Sequence, residues 1–155
     1  MKSKFLVNIE LILWAFWLGA LWFLALLVAP ALFKWLARPE AGLVAGRLFY
    51  LMSWASLGFS MVLIAFAALR RQVALYSLPT WCLLLVCVVS VLELAWLSPA
   101  MHSLRQAISA AVTLADADQL RSTFGQLHGA FSLLYAFKMI AVVVWGVLTY
   151  GRRLA

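Results

Sequence analysis

The sequence predicts an all-α integral membrane protein, a four-helix bundle with an additional amphipathic helical segment between spans three and four. Hydrophobic residues make up 67% of the 155 residues and charged residues only 11%, a composition too apolar for a soluble domain of this size. Four apolar runs each reach the length of about 20 residues that a helix needs to cross a bilayer. The net charge of +7 does not indicate a nucleic-acid partner, because the lysines and arginines lie at the ends of these runs.

The four runs belong to one transmembrane domain, and two prolines mark places where its helices are expected to change direction. The spans are predicted at about 5–33, 43–69, 79–97 and 124–150. Pro30 and Pro99 each lack a backbone donor, so we expect Pro30 to kink or end span one and Ser98-Pro99 to break the helix after span three. Residues at about 100–120 alternate polar and apolar at helical spacing, which predicts a surface helix or a projecting hairpin with Asp116 and Asp118 at its turn.

The apolar run after Lys2 and Lys4 is too long for a cleaved signal peptide, so we interpret it as an uncleaved first span. With four spans, both termini lie on one side of the membrane. The basic residues divide almost evenly between the two sides, and the acidic residues and longer connections favour cytoplasmic termini. The expected location is the bacterial inner membrane, as a multi-pass protein.

Small residues on span two indicate close helix packing. Gly42 and Gly46 form a small-xxx-small pair, a spacing that lets another helix approach closely, and Gly58 follows further along. The same span carries three small polar residues, Ser53, Ser56 and Ser60. We therefore expect a helix contact here, and the partner could be a second copy of the chain or another membrane protein.

Chemically useful side chains are expected to gather at one membrane face, because spans one and three end where spans two and four begin. The residues brought to this face are Pro30, Arg38, Arg47, Glu93, His102, Arg105 and His128. This convergence predicts a polar pocket in which His102 and His128 are ligands or hydrogen-bond partners. Arg47 and Arg105 would form its anion-attracting rim.

Span four carries a polar stripe on an otherwise apolar helix. The residues follow the i, i+4, i+7, i+11 rule of one helical face: His128, Ser132, Tyr135 and then Lys138 or Met139. Lys138 lies near the middle of the span, where an unpaired ammonium is costly. It should therefore find an anion or a polar cavity, and Glu93 is the first candidate, with Glu10 the second.

The two histidines also permit a metal centre. Neutral imidazole is a ligand for haem iron and for copper, and the thioether of Met101 beside His102 would suit copper. The alternative is that His102 and His128 merely hydrogen-bond water or backbone, because they form no spaced motif such as HxxxH. No cofactor is assigned on this pattern.

Three functions fit these features. The first is a small four-span inner-membrane protein, not an enzyme, whose polar pocket binds or passes a small molecule or a metal ion. The second is a membrane redox protein holding haem or copper through His102 and His128. The third is a structural or assembly subunit that packs through Gly42 and Gly46.

Scattered glycine, proline and aromatic positions resemble those of a bacterial family. They are Trp17-x-Gly19-x-x-Trp22, Pro30-x-x-Phe33, Gly42-x-x-x-Gly46-x-Leu48-Phe49 and Phe124-x-x-x-His128-Gly129. The chain resembles the domain-of-unknown-function 4149 family, which is similar to transmembrane protein 205. The resemblance covers most of the chain and implies a four-span membrane protein without a settled activity.

At greater distance the layout resembles the copper-resistance protein D and HemJ-type protoporphyrinogen oxidase group, whose members are also small four-helix membrane proteins. The HemJ-type oxidases carry a haem-associated histidine in their first span. Spans one, two and three of this chain contain no histidine. The resemblance therefore implies the fold rather than the chemistry.

Overall fold

Long helices make up nearly all of the chain that the structure, a computed structural model, describes. The described residues are 2–69, 77–111 and 113–154. The α-helices are α1 (Lys2–Phe23), α2 (Ala29–Trp35), α3 (Arg38–Leu69), α4 (Leu78–Leu92), α5 (Ser98–Ala110) and α6 (Leu114–Leu154). Two π-helical turns join pairs of them: the first π-turn is Leu24–Val28 and the second π-turn is Glu93–Leu97.

Because the π-turns continue the helices on either side, the described residues form four rods long and apolar enough to cross a membrane. These are Phe5–Trp35, Arg38–Ala68, Leu78–Ala110 and Leu114–Gly151, called spans one to four from here on. The prediction of an all-α, four-span membrane protein is confirmed. Each span exceeds the roughly 20 residues that a hydrocarbon core requires, so the helices are expected to tilt or to project beyond it.

The expectation that Pro99 breaks the third span is wrong. The second π-turn lies just before it, and the amide of Ser98 donates to the carbonyl of Glu93, five residues back instead of four. In a regular α-helix the proline ring collides with the carbonyl four residues earlier, and the wider turn lies where that collision would occur, so the helix continues through Ala110. The first π-turn precedes Pro30 in the same way, and span one likewise continues beyond its proline.

The structure gives the predicted amphipathic segment the form of the projecting hairpin and not that of a single surface helix. It divides at a break between Ala110 and Leu114, so its first half extends span three and its second half begins span four. Thr113 caps α6: its hydroxyl accepts the Asp116 amide at 3.2 Å and donates to the Asp116 carboxylate at 2.5 Å. Asp116 and Asp118 therefore belong to the start of α6 and not to the turn before it.

Spans one and four are joined by hydrogen bonds from two aromatic side chains. The Trp14 indole nitrogen donates to the Val142 carbonyl at 2.9 Å, and the Tyr135 hydroxyl donates to the Leu21 carbonyl at 3.2 Å. The later residue of α1 meets the earlier residue of α6, so the two spans are antiparallel. Both bonds are shielded by the hydrophobic core, which also holds Trp17 and Trp145.

One face of α3 packs against span three, and it is the small-residue face noted in the sequence. Gly46, Ser53 and Ser60 are seven residues apart, about two helical turns, and therefore share this face. Three contacts follow one another along it: Gly46 with Arg105, Ser53 with Glu93, and Ser60 with Cys87. The small residues thus bring two antiparallel spans of the same chain together.

Gly58 lies apart from this face. It is exposed, and a Cβ atom at this position would meet no other atom within 4 Å.

The bond from Tyr135 to span one supplies a first prediction. Tyr135→Phe keeps the ring but removes a buried hydroxyl donor, so we expect a loss of about 1 kcal/mol in the free energy of unfolding. Tyr50→Phe is the matched control, since Tyr50 is exposed on span two and should change little. Thermal unfolding in detergent measures both. Equal stability of the two variants would contradict a stabilising role for this bond.

Candidate functional site

An ion pair lies inside the bundle, near the middle of spans three and four. The ammonium of Lys138 donates to Glu93 Oε2 at 2.5 Å, and both side chains are 0% exposed. Glu93 is the partner that the sequence placed first for Lys138. Two helices therefore bring opposite charges together at a depth where either charge alone would be costly.

Two neighbouring side chains complete the surroundings of the pair. The Ser53 hydroxyl donates to the same carboxylate oxygen, Glu93 Oε2, at 2.6 Å. The Lys138 ammonium also lies 4.9 Å from the ring centre of Tyr135, a cation–π distance. Lys138 is thus held between a carboxylate and an aromatic face.

The second carboxylate oxygen of Glu93 differs from the first. Glu93 Oε1 is buried and accepts no hydrogen bond from any residue that the structure describes. The hydroxyl of Ser90, one turn earlier on α4, is also buried without a described partner. A buried acceptor normally has a donor, so Glu93 Oε1 is a place where a proton or a water molecule can be held.

The backbone at Glu93 is also unusual, because the second π-turn begins there. Such turns are rare and occur often at functional sites. A buried ion pair is moreover weak evidence for a stabilising role, since the desolvation of two charges offsets much of their attraction.

Small polar side chains continue from the ion pair towards the start of α4. The buried members are Ser53, Ser56, Ser60, Thr80 and Ser90. Three of them make described contacts with other spans. Ser53 donates to Glu93, Ser56 accepts the Trp17 indole N–H at 3.3 Å, and the Ser60 hydroxyl lies 3.1 Å from the Cys87 sulfur. We call this set the hydroxyl row. It gives the interface of spans two and three a polar interior.

The sequence carries a pattern that indicates the hydroxyl row. Ser53 and Ser60 are small residues that pack against span three. The spacing of Ser53, Ser56 and Ser60, at three and four residues, also places three hydroxyls on one helical face. The binding of Ser53 to Glu93 could be found only once the facing span was placed.

The two histidines of the predicted pocket, unlike the ion pair, are not buried between helices. His102 and His128 are both exposed, on α5 and α6. His128 stacks on Phe124, with ring centres 6.1 Å apart and planes inclined by 6°. Over the described residues, no group of three or more His, Cys, Asp or Glu side chains is arranged to hold a metal ion.

The polar stripe of span four divides into two environments. His128 and Ser132 are exposed, and the Ser132 hydroxyl donates to the His128 carbonyl within the helix. Tyr135, Lys138 and Met139 are buried. These residues share one face of the helix. Whether each is buried depends on whether a neighbouring helix covers that face at its position along the axis.

The two arginines of the predicted rim also differ. Arg47 is exposed. Arg105 is half-buried, and its guanidinium lies against α3 at Gly46 and 5.2 Å from the ring centre of Phe124 on α6. Arg105 therefore contacts spans two and four from its place on span three. Arg47 has no such contacts among those described.

An open cavity of about 330 Å³ lies at the surface between spans one and two, where the lining residues Phe23 and Leu51 are exposed. It is lined entirely by apolar side chains, including Leu24 of the first π-turn and Leu51 of α3. Leu51 lies on the opposite side of α3 from Ser53, because the two positions are about 200° apart around the helix. The ion pair and this cavity are thus separate features.

Comparison with known proteins places the chain in a family. Residues 12–110 match the family described as a domain of unknown function (DUF4149), and this match covers more than half of the chain. No curated protein and no solved structure matches the chain. The matched segment includes Ser53, Glu93 and Arg105, whereas Lys138 lies beyond it. This four-span membrane protein belongs to the DUF4149 family.

Proposed function

We propose that this membrane protein binds and passes a small ion through the interior of its bundle, and that the ion is a proton held at Glu93. The observation that carries the proposal is the fully buried Lys138–Glu93 pair, in which one carboxylate oxygen has no described donor. In this proposal the protein lies in a bacterial inner membrane with both termini on the cytoplasmic side.

The chemistry of the pair supports a proton rather than a larger solute. A proton bound by Glu93 and a proton released by Lys138 convert the buried ion pair into two neutral groups, which removes the cost of both buried charges. Lys138 and Ser53 occupy Glu93 Oε2, and Glu93 Oε1 is left to receive the proton. Lys138 supplies the proton that leaves the pair, so no unpaired charge remains in the interior.

The hydroxyl row supports a path for the proton between Glu93 and one end of the bundle. Hydroxyl groups both donate and accept, so Ser90 and Ser60 can relay a proton, alone or through ordered water, between Glu93 and the end of the bundle where α4 begins. Metal ions fit the interior less well, because the described residues provide no group of three metal-binding side chains.

Proton flux into liposomes tests the proposal. The protein is reconstituted with a pH-sensitive dye inside the vesicles, and a potassium diffusion potential with valinomycin drives protons inward. We expect the wild type to acidify the interior faster than protein-free vesicles do. The Glu93→Gln variant should fall to the protein-free rate, because its amide cannot carry the proton, and Ser53→Ala should be slower than wild type.

Two further variants separate function from folding. Glu93→Gln together with Lys138→Met removes both buried charges, so this protein should fold and yet show no flux. Glu40→Gln changes an exposed carboxylate at the start of α3 and should keep the wild-type rate. A wild type no faster than empty vesicles, or a folded Glu93→Gln protein with undiminished flux, would refute proton passage.

A further inference from the structure

Arg105 is held in place by three spans, and this arrangement is independent of the ion pair. A Cβ atom at Gly46 would lie 3.1 Å from Arg105 Nη1 and 3.4 Å from Nη2, and one at Gly42 would lie 3.6 Å from Nη2. The guanidinium therefore rests on the backbone of α3. A larger side chain at Gly46 would push the guanidinium away, whereas a Cβ atom at Gly42 would be in ordinary van der Waals contact with it.

The aromatic side of this position comes from span four. The guanidinium carbon lies 5.2 Å from the centre of the Phe124 ring, a cation–π contact, and Phe124 in turn stacks on His128. The glycine surface and the aromatic ring fix the orientation of the guanidinium. A fixed planar cation loses less entropy when it binds an anion than a freely rotating one does.

The charge of Arg105 is not balanced by the residues around it. Within 2–69, 77–111 and 113–154, the described ion pairs are Lys138–Glu93 and Arg121–Asp118, and no described hydrogen bond uses the Arg105 guanidinium. A guanidinium carries five N–H donors, and those of Arg105 are directed at no described acceptor. Exposed Arg47, next to Gly46, adds positive charge to the same end of the bundle.

The depth of Arg105 matches the headgroup region of a bilayer. It follows Glu93 by 12 residues, which is about 18 Å along a helix. With Glu93 near the middle of the span, Arg105 lies beyond the half-thickness of about 15 Å of the hydrocarbon core. Phosphate groups are the anions concentrated at this level, and a guanidinium can bind them through two parallel hydrogen bonds.

We propose that Arg105, seated on Gly42 and Gly46 and against Phe124, binds a phosphate group. The group comes from a lipid headgroup or from soluble phosphate, since both present the same oxygen atoms to the guanidinium. The site is separate from the proton site, and it stands if proton passage is refuted.

Binding measurements on the purified protein in neutral detergent test this inference. The protein is titrated with short-chain phosphatidylglycerol, with diacylglycerol of the same chains, and separately with inorganic phosphate, and complexes are counted by native mass spectrometry. We expect phosphatidylglycerol to bind and diacylglycerol not to bind. Binding of inorganic phosphate as well would indicate a soluble source, and its absence would indicate the headgroup; either result supports a phosphate site.

Variants locate the site. Arg105→Gln should weaken binding by about tenfold or more, because charge-assisted hydrogen bonds are lost. Arg105→Lys keeps the charge but not the planar fork, and Gly46→Leu displaces the guanidinium, so both should also bind more weakly. Arg121→Gln, at an exposed arginine paired with Asp118, should bind as wild type does. Equal binding of diacylglycerol, or wild-type affinity in a folded Arg105→Gln protein, would overturn the proposal.

Discussion

Lys138→Met is expected to reduce the stability of the bundle by about 3–5 kcal/mol, the loss typical when one partner of a buried ion pair is removed. The reason is the carboxylate that remains. Glu93 is 0% exposed and would keep only the Ser53 hydroxyl as a described donor. Thermal unfolding in detergent, followed by circular dichroism, measures the change.

A double variant distinguishes the pair from two unrelated residues. Glu93→Gln should restore part of the stability that Lys138→Met removes, because no unpaired charge then remains in the interior. Lys34→Met, at an exposed lysine of α2, is the control and should change stability little. Strictly additive losses in the Glu93 and Lys138 variants would show that the two side chains do not stabilise each other.

Gly146→Ala should produce the second large effect. Gly146 is buried in span four, and a Cβ atom there would occupy the same space as the Trp14 indole ring of span one. Overpacking of this kind costs about 1–3 kcal/mol, and displacement of the ring would also break the hydrogen bond from Trp14 to the Val142 carbonyl. We therefore expect a lower unfolding temperature and a weaker junction of spans one and four.

The chain offers a control on the same helix. Gly129 is exposed and a Cβ atom there would meet nothing within 4 Å, so Gly129→Ala should be neutral or slightly stabilising. The cost of Gly146→Ala should also shrink when Trp14→Ala removes the ring beforehand. If Gly146→Ala is as stable as Gly129→Ala, the close packing of Trp14 on span four is incorrect.

The features that could be predicted from the sequence follow from the cost of placing polar groups in lipid. Four apolar runs of this length were expected to become four spanning helices, because a helix makes all of its backbone hydrogen bonds within one segment and needs no water in the lipid. The same cost required a partner for Lys138, and Glu93 was near enough along the neighbouring span. The small residues of span two likewise indicated close packing, with the identity of the facing residues left open.

The ends of the helices could not be predicted in this way. Pro99 removes one hydrogen bond, and a local rule therefore suggested a break. The structure instead widens the preceding turn, which depends on backbone hydrogen bonds that leave no sequence pattern. The exposure of His128 beside the burial of Tyr135 was also not predictable, because both lie on one face of α6 and differ only in their neighbours.

The second π-turn has a geometric consequence for the whole of span three. Each α-helical residue advances by about 100° around the axis, and a π-turn holds roughly one residue more than an α-turn, so α5 is rotated by nearly that angle relative to a straight continuation of α4. Arg105 faces Gly46 only with this rotation included. Deletion of a single residue between Glu93 and Ser98 would let this turn become α-helical and would keep Arg105 facing α3, whereas an α-helical turn at full length would turn Arg105 away. The second π-turn therefore sets the orientation of Arg105 relative to Glu93 on span three.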